Sequence, residues 1–334
     1  MRYLDRFFIA ATFAVCAGTS LLMFAGPEHV AVLADLQYVP WYAFLVPALA
    51  SMLPALRLGS RWLAMSAASV LLVPLVLMDL TLASGERGEH TVRVMTFNVK
   101  DYETLRSADG AARLVAEVLR YDPDILVLQD SEDFYDRIHD DKLFPGRYLF
   151  TADEYAIVSR HPLQDCRHRR VPVPGKSLYH IVCRVKSPDW QLDVHVVHLV
   201  SPRLGLTAWR YGPIRGVHDW DSNVEARMAQ TRVLADFVAS SPRPAIVAGD
   251  LNAPPHSLIL RILREAGFRD AYAAAGHGFG FTYGHELPGG LSFLRLDHVL
   301  VDDSIGVADC FVGPPGVSPH RPVIADLVLR PDRK

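Results

Sequence analysis

Phe7 to Ala25 reads FFIAATFAVCAGTSLLMFA without a single charge, a length that crosses a bilayer as a helix. Two more such runs follow after short polar joints, Tyr38 to Leu56 and Trp62 to Ala83. Three membrane spans, at about 7–25, 38–56 and 62–83, are therefore expected within a membrane domain of residues 1–83. Pro40, Pro47, Pro54 and Pro74 interrupt the second and third runs. Spanning helices tolerate proline where neighbours satisfy the freed carbonyls. Asp79 lies near the end of the third run and is expected to reach for the interface. Arg2 and Arg6 would also suit a cleaved signal peptide, but the first run is long for one and no small-x-small site follows it. Arginines flank the first span on one side and fill the second loop as Arg57 and Arg61, while residues 26–37 hold no Lys or Arg. Positive charge stays inside, so everything after Ala83 is expected across the membrane. In a bacterium this places the chain in the inner membrane as a multi-pass protein, with its larger domain in the periplasm.

The rest of the chain has a different character. The first 83 residues carry four basic and four acidic groups, so the net charge of −3 resides wholly in the remainder. That balance supplies no bulk basic footprint for nucleic acid. After a polar linker at 84–90, apolar alternation and helical periods take turns over 91–330. Strands are expected at 91–99, 124–130, 155–163, 178–185, 191–199, 244–252, 296–303 and 322–329. Helices are expected at 107–121, 223–239 and 258–266. The pattern defines one α/β domain. Of its three cysteines, Cys166 and Cys183 fall on strand-like runs and either pair or stay as buried thiols; Cys310 is the odd one.

Polar residues gather where the apolar strands end: Asn98, Asp130, His198, Asp250 with Asn252, Asp297 and His320. Singly, each has an ordinary explanation, whether an Asx turn at 250–252, a helix cap at Asp130 or a core histidine at His198. Together they form a set. Carboxylates and a carboxamide are hard donors that suit Mg²⁺ or Mn²⁺, and two histidines move protons near neutral pH. No serine or cysteine elbow accompanies them, so the combination points to direct attack of water on phosphorus.

Eight ordered motifs carry a family resemblance: FNV at 97–99, DILVLQD at 124–130, AIVSRHPL at 156–163, VHL at 197–199, RxxQ at 227–230, GDLN at 249–252, RLDHV at 295–299 and SPHRPV at 318–323. The chain over 91–330 resembles the endonuclease/exonuclease/phosphatase superfamily, the deoxyribonuclease-I-like group. The resemblance implies a four-layer α-β-β-α sandwich, here preceded by three transmembrane helices, and a metal-dependent phosphoric ester hydrolase. It implies that Asn98 and Asp130 hold Mg²⁺ or Mn²⁺, that Asp250 and Asn252 orient water and phosphate, and that Asp297 fixes the tautomer of His320. His198 is implied to contact the phosphate or protonate the leaving oxygen, with Thr282 helping to position the group.

Two departures stand out. Asp130 occupies a place where the family usually has Glu, with Glu132 either a substitute ligand or a solvated side chain, and Pro319 replaces the usual Asp of the last motif. A phosphodiesterase or phosphatase, or a nuclease, is the expected function, with a phosphate ester as substrate, either a lipid head group or nucleic acid. The alternative is a catalytically impaired member that binds a phosphorylated ligand or a protein partner. The segment 200–222, rich in Arg, Trp and Tyr, is expected to be a specificity loop, with Arg203 on the substrate. Arg167-His168-Arg169-Arg170, with Lys176 and Tyr179, would either track a phosphate backbone or form a solvated hairpin edge.

Overall fold

The computed structural model describes residues 2–88, 91–134, 144–173, 176–286 and 290–329. Two six-stranded sheets lie face to face, and alternation along each strand decides which side chains enter the space between them. The strands of the first sheet are β1 (Thr91–Asn98), β2 (Ile125–Gln129), β3 (Tyr148–Ala152) and β4 (Tyr155–Ser159), with β11 (Gly306–Val312) and β12 (Val323–Val328). Their order is β11-β12-β1-β2-β4-β3. The second sheet holds β5 (Leu163–Val173), β6 (Lys176–Lys186), β7 (Gln191–His198), β8 (Ala245–Asp250), β9 (Phe268–Asp270) and β10 (Asp297–Asp302), in the order β9-β10-β8-β7-β6-β5. Among the described residues, only β1–β2 and β7–β8 are parallel pairs.

Val94, Val127 and Ile157 of one sheet meet Ile181, Val194 and Ile246 of the other in a core with almost no exposure. The alternate residues face outward under helices. Met95, Phe97 and Leu126 pack beneath α4 (Gly110–Tyr121) through Leu114 and Val118. Val247 and Leu300 lie beneath α6 (Pro213–Ala239) and α7 (Leu258–Glu265) through Val224, Leu234 and Leu263. Both sheets are thus covered, which gives the expected four layers. Cys166 and Cys183 are joined in a disulfide, while Cys16 and Cys310 are free and buried.

Three helical stretches at the amino end, Arg2–Ala25, Trp41–Leu58 and Ser60–Leu77, are long and apolar enough to cross a membrane by length and composition. They comprise α1 (Arg2–Ala25), α2 (Leu45–Leu58), which follows a 3-10 turn at Trp41–Phe44, and α3 (Ser60–Leu72), which runs on as a π-helical turn to Leu77. The third run therefore stops short of the expected Ala83. Asp79 adopts a left-handed conformation (φ 54°), and Thr81–Leu82 pairs with His277–Gly278 as a short antiparallel strand. Asp79 bonds the buried guanidinium of Arg295 at 2.5 Å. The polar stretch expected as a free linker is also tied down, with the Glu86 amide donating to the Val307 carbonyl at 2.7 Å.

Segment 200–222 is a second correction. It is not a loop but α5 (Arg203–Tyr211) followed, across Gly212, by the start of α6. Leu206 and Trp209, three apart, pack on the core beneath α6, and Trp220 is fully buried. Tertiary burial of these apolar residues outweighs the weak local periodicity.

Candidate active site

Strand register assembles the site. Parallel pairing sets His198 beside Asp250, antiparallel pairing sets Asp297 opposite Asp250, and Asn98 pairs with Gln129, one residue before Asp130. Five strand-end positions thus meet at one rim of the two sheets. Gly249 makes the close approach of β7 and β8 feasible: a Cβ there would stand 1.9 Å from the Val197 carbonyl oxygen.

Asp250 is the hub. Its carboxylate accepts from the Asn98 side-chain amide at 3.0 Å and from the Asn252 backbone amide at 2.8 Å. The Nε2 atoms of His198 and His320 stand 3.5 Å and 3.8 Å from its Oδ2. Asp297 Oδ2 lies 2.9 Å from His320 Nδ1, the expected carboxylate–imidazole pair. Burial disfavours a charged His320, yet Asp297 and Asp250 outweigh it and raise its pKa. Burial also raises the Asp297 carboxyl, against the pull of His320. Ser318, in the last motif, donates to the Asn98 carbonyl at 2.7 Å and accepts from the His320 amide at 3.1 Å, so the turn through Pro319 holds His320 without the aspartate that proline replaces.

The second imidazole has a partner that no motif announced. Glu154, in the tight turn between β3 and β4, places Oε2 3.0 Å from His198 Nδ1. Burial opposes the imidazolium, but Glu154, Asp250 and Asp130 overcome it and raise His198 to about 9. Asp130 sits in the left-handed region (φ 48°) and pairs with Lys100 Nζ; burial would raise its carboxyl, but His198 and Lys100 bring it down to about 2. Lys100, two residues past Asn98, was also missed; its only sequence signal is that it continues the FNV strand end. Glu132 is exposed and plays no part in the cluster.

Ligand atoms of Asp130, Glu154 and His198 lie within 4.8 Å of one another, as do those of Asp250, Asp297 and His320. The two carboxylates, Asp130 and Glu154, offer hard oxygen donors suited to a divalent cation, and a protein cation, Lys100 Nζ, already pairs with Asp130. Asn98, expected to share the metal with Asp130, donates its side-chain amide to Asp250 and accepts from the Lys100 amide at 3.1 Å.

The cleft above these groups has a volume of about 250 Å³, and Arg203, Lys100, His198, Asn252 and His320 line it. Its other wall is apolar, formed by Leu206, Phe293, Leu294 and Leu296. Tyr283 also lines it, its ring 4.9 Å from that of His320. Arg203 is thus at the cleft as expected. Thr282 is fully buried behind it, and its hydroxyl accepts from the Leu296 and Asp297 amides at 3.0 Å and 3.3 Å, which fixes the start of β10. Asn252 faces the cleft while its side-chain amide donates to the Leu199 carbonyl at 2.9 Å. The Arg167–Arg170 cluster lies on β5, the edge strand of its sheet, away from the cleft lining.

The molecule is a two-sheet sandwich whose strand ends deliver carboxylates and imidazoles to one cleft. The chain belongs to the endonuclease/exonuclease/phosphatase family, whose model matches residues 95–320. No curated protein sequence matches it. Among solved structures, a family protein from Leptotrichia buccalis is similar at 13% identity and TM-score 0.56, covering 71% of this chain and 99% of that one. A humanized TDP2 from D. rerio is similar at 17% identity and TM-score 0.54, covering 71% and 98%. The mannosyl-6-phosphatase of Bacteroides thetaiotaomicron is similar at 17% identity and TM-score 0.52, covering 71% and 100%.

Proposed function

We propose that the protein is a divalent-metal-dependent phosphoester hydrolase, a phosphodiesterase or phosphatase that works by direct attack of water on phosphorus. The observation that carries this reading is the placement of both cleft imidazoles, His198 and His320, within 4 Å of the Asp250 carboxylate. Asp130, with Glu154 and Asn98 as neighbouring oxygen donors, would hold a divalent cation, which when bound would offset charge developing on the phosphate oxygens. Asp297 accepts a hydrogen bond from His320 Nδ1–H and so turns Nε2 toward the cleft. Asp250 orients the attacking water and accepts its proton. His198, with its pKa of about 9, is cationic at neutral pH and donates a proton to the leaving oxygen. Arg203 and Lys100 draw the anionic ester into the cleft.

The proposed location is the outer face of the cytoplasmic membrane of a bacterium. Arg2, Arg6, Arg57 and Arg61 support that topology, and the Cys166–Cys183 disulfide suits an oxidising compartment. A site beside the membrane, half of its cleft apolar, favours a phospholipid head-group ester over nucleic acid. The related structures include both a phosphatase and a TDP2 complexed with a single-stranded DNA product, so both classes enter the test. Full-length protein in nanodiscs, given phospholipid head-group esters, plasmid DNA and bis(p-nitrophenyl) phosphate with Mg²⁺, Mn²⁺ or EDTA, should hydrolyse the lipid ester fastest and lose that activity in EDTA. Preferential cleavage of DNA would move the assignment to a nuclease. Silence on all three substrates would leave a binding protein.

A further inference from the structure

The loop between the first two apolar helices enters the cleft. Tyr38, from a 3-10 turn at Asp35–Tyr38, is 5% exposed and lines the wall shared with Asp250, Asn252 and His198. Its hydroxyl donates to the Asn252 main-chain carbonyl at 3.1 Å, across 214 positions of sequence. Arg227, itself 1% exposed, donates to the same oxygen at 2.7 Å. The contact is built rather than incidental. The Arg227 guanidinium stands 5.7 Å from the centre of the Tyr38 ring, and Trp220 meets that ring edge-on at 6.3 Å. The Trp220 indole N–H donates in turn to the Ala31 carbonyl, pinning the same loop.

The bonded carbonyl belongs to Asn252, which has φ of 50°, a left-handed conformation that its surroundings hold in place. Four bonds do so here: its amide to Asp250, its side chain to the Leu199 carbonyl, and its carbonyl to Tyr38 and Arg227. The bonds to the Asn252 carbonyl hold the peptide on one side of its Cα, and the bond from the Asn252 amide to the Asp250 carboxylate, which faces both imidazoles, holds the peptide on the other, so loosening the first frees the turn that carries the second.

We propose that Tyr38 is a positioning residue of the hydrolytic site, and that the membrane segment thereby completes the active centre instead of merely tethering it. The proposal rests on the phosphoesterase reading above. Tyr38 touches no reacting atom in this role. It fixes the Asp250–Asn252 turn from behind while its ring bounds the cleft. Displacements of about 1 Å around a reacting centre cost roughly a hundredfold in rate, so removal of one of two bonds to the carbonyl should register in kcat well before it registers in stability.

The test uses full-length protein in nanodiscs with bis(p-nitrophenyl) phosphate and Mn²⁺, comparing wild type, Tyr38→Phe and Tyr38→Ala. Tyr38→Phe keeps the ring against Arg227 and Trp220 and loses only the hydroxyl. It should lower kcat about tenfold with KM nearly unchanged and little shift in thermal midpoint. Tyr38→Ala should lower kcat by about a hundredfold. Wild-type kcat in Tyr38→Phe, or a loss matched by an equal loss of folded protein, would overturn the positioning role. Absence of turnover in the wild type itself would instead sink the phosphoesterase reading, so the two failures are distinct.

Discussion

Glu154 joins two features of the site. It holds His198 through Nδ1, and it lies with Asp130 in the acidic group suited to a cation. Asp130 is one methylene shorter than the usual glutamate, and Glu154 sets a second carboxylate within 4.8 Å of it. Glu154→Gln should therefore raise the Mn²⁺ concentration for half-maximal hydrolysis by roughly tenfold or more, as a metal titration of activity would show; an unchanged midpoint would take Glu154 out of the metal site. Most of the site was legible residue by residue. Asn98, Asp130, His198, Asp250, Asp297 and His320 end or begin apolar strands, and strand ends are where a sheet delivers rigid side chains. Glu154 was not, because a Glu in a tight turn looks like any solvated turn residue until the two sheets close. Thr282 was named for the right neighbourhood but works on backbone amides, a distinction that depends on rotamer and not on sequence.

Among the elements, β6, β7 and α6 enclose a pair of histidines outside the site. His180 and His195 stack at 5.8 Å, and His180 lies 5.3 Å from the Phe237 ring. Burial, aided by Arg169 for His180 and by His180 for His195, depresses them to about 4 and about 3. Both are therefore neutral in the folded chain, and the unfolded chain takes up their protons first as pH falls. Their contribution is fully present above pH 6.5 and is lost progressively below it, by about 3 kcal/mol for His180 at pH 4. His180→Leu should make the fall in unfolding free energy between pH 7 and pH 4 smaller by about that amount in urea titrations; an equally steep fall would show that His180 does not govern acid lability. At this scale the sequence showed the long strands and α4, α6 and α7, whose apolar spacing is strong. It hid β3, β5, β9, β11 and α5. These are short, half-exposed or basic, and cross-strand pairing or packing beneath α6 defines them more than their own periodicity does.

In the whole molecule, the apolar amino-terminal helices and the sandwich are bound to one another at several points. Glu28 accepts from the Leu258 amide at 3.1 Å and from the Ser257 hydroxyl, capping α7. Arg261 donates to the Phe24 carbonyl at 2.7 Å at the end of α1. Arg295, two residues before Asp297 and 2% exposed, is neutralised by Asp79 from one part and Asp270 from the other. Asp79→Ala leaves that buried guanidinium with one partner, and unfolding should become easier by about 2 kcal/mol, measured by thermal denaturation in detergent; an unchanged midpoint would mean that Asp270 suffices. Hydropathy alone could find the apolar runs, but it could not show that their loops grip the domain, because such contacts join residues more than 200 positions apart.

The proposed chemistry is hydrolysis of phosphate esters in the cleft through the Asp297–His320 pair facing Asp250. Steady-state turnover of bis(p-nitrophenyl) phosphate by full-length wild type and His320→Ala, each with Mn²⁺ and with EDTA, tests it most directly. The predicted result is metal-dependent turnover in the wild type and a fall in kcat of roughly 10³ or more in the variant, with both proteins equally folded. Equal turnover in the two proteins, or turnover indifferent to EDTA, would contradict it.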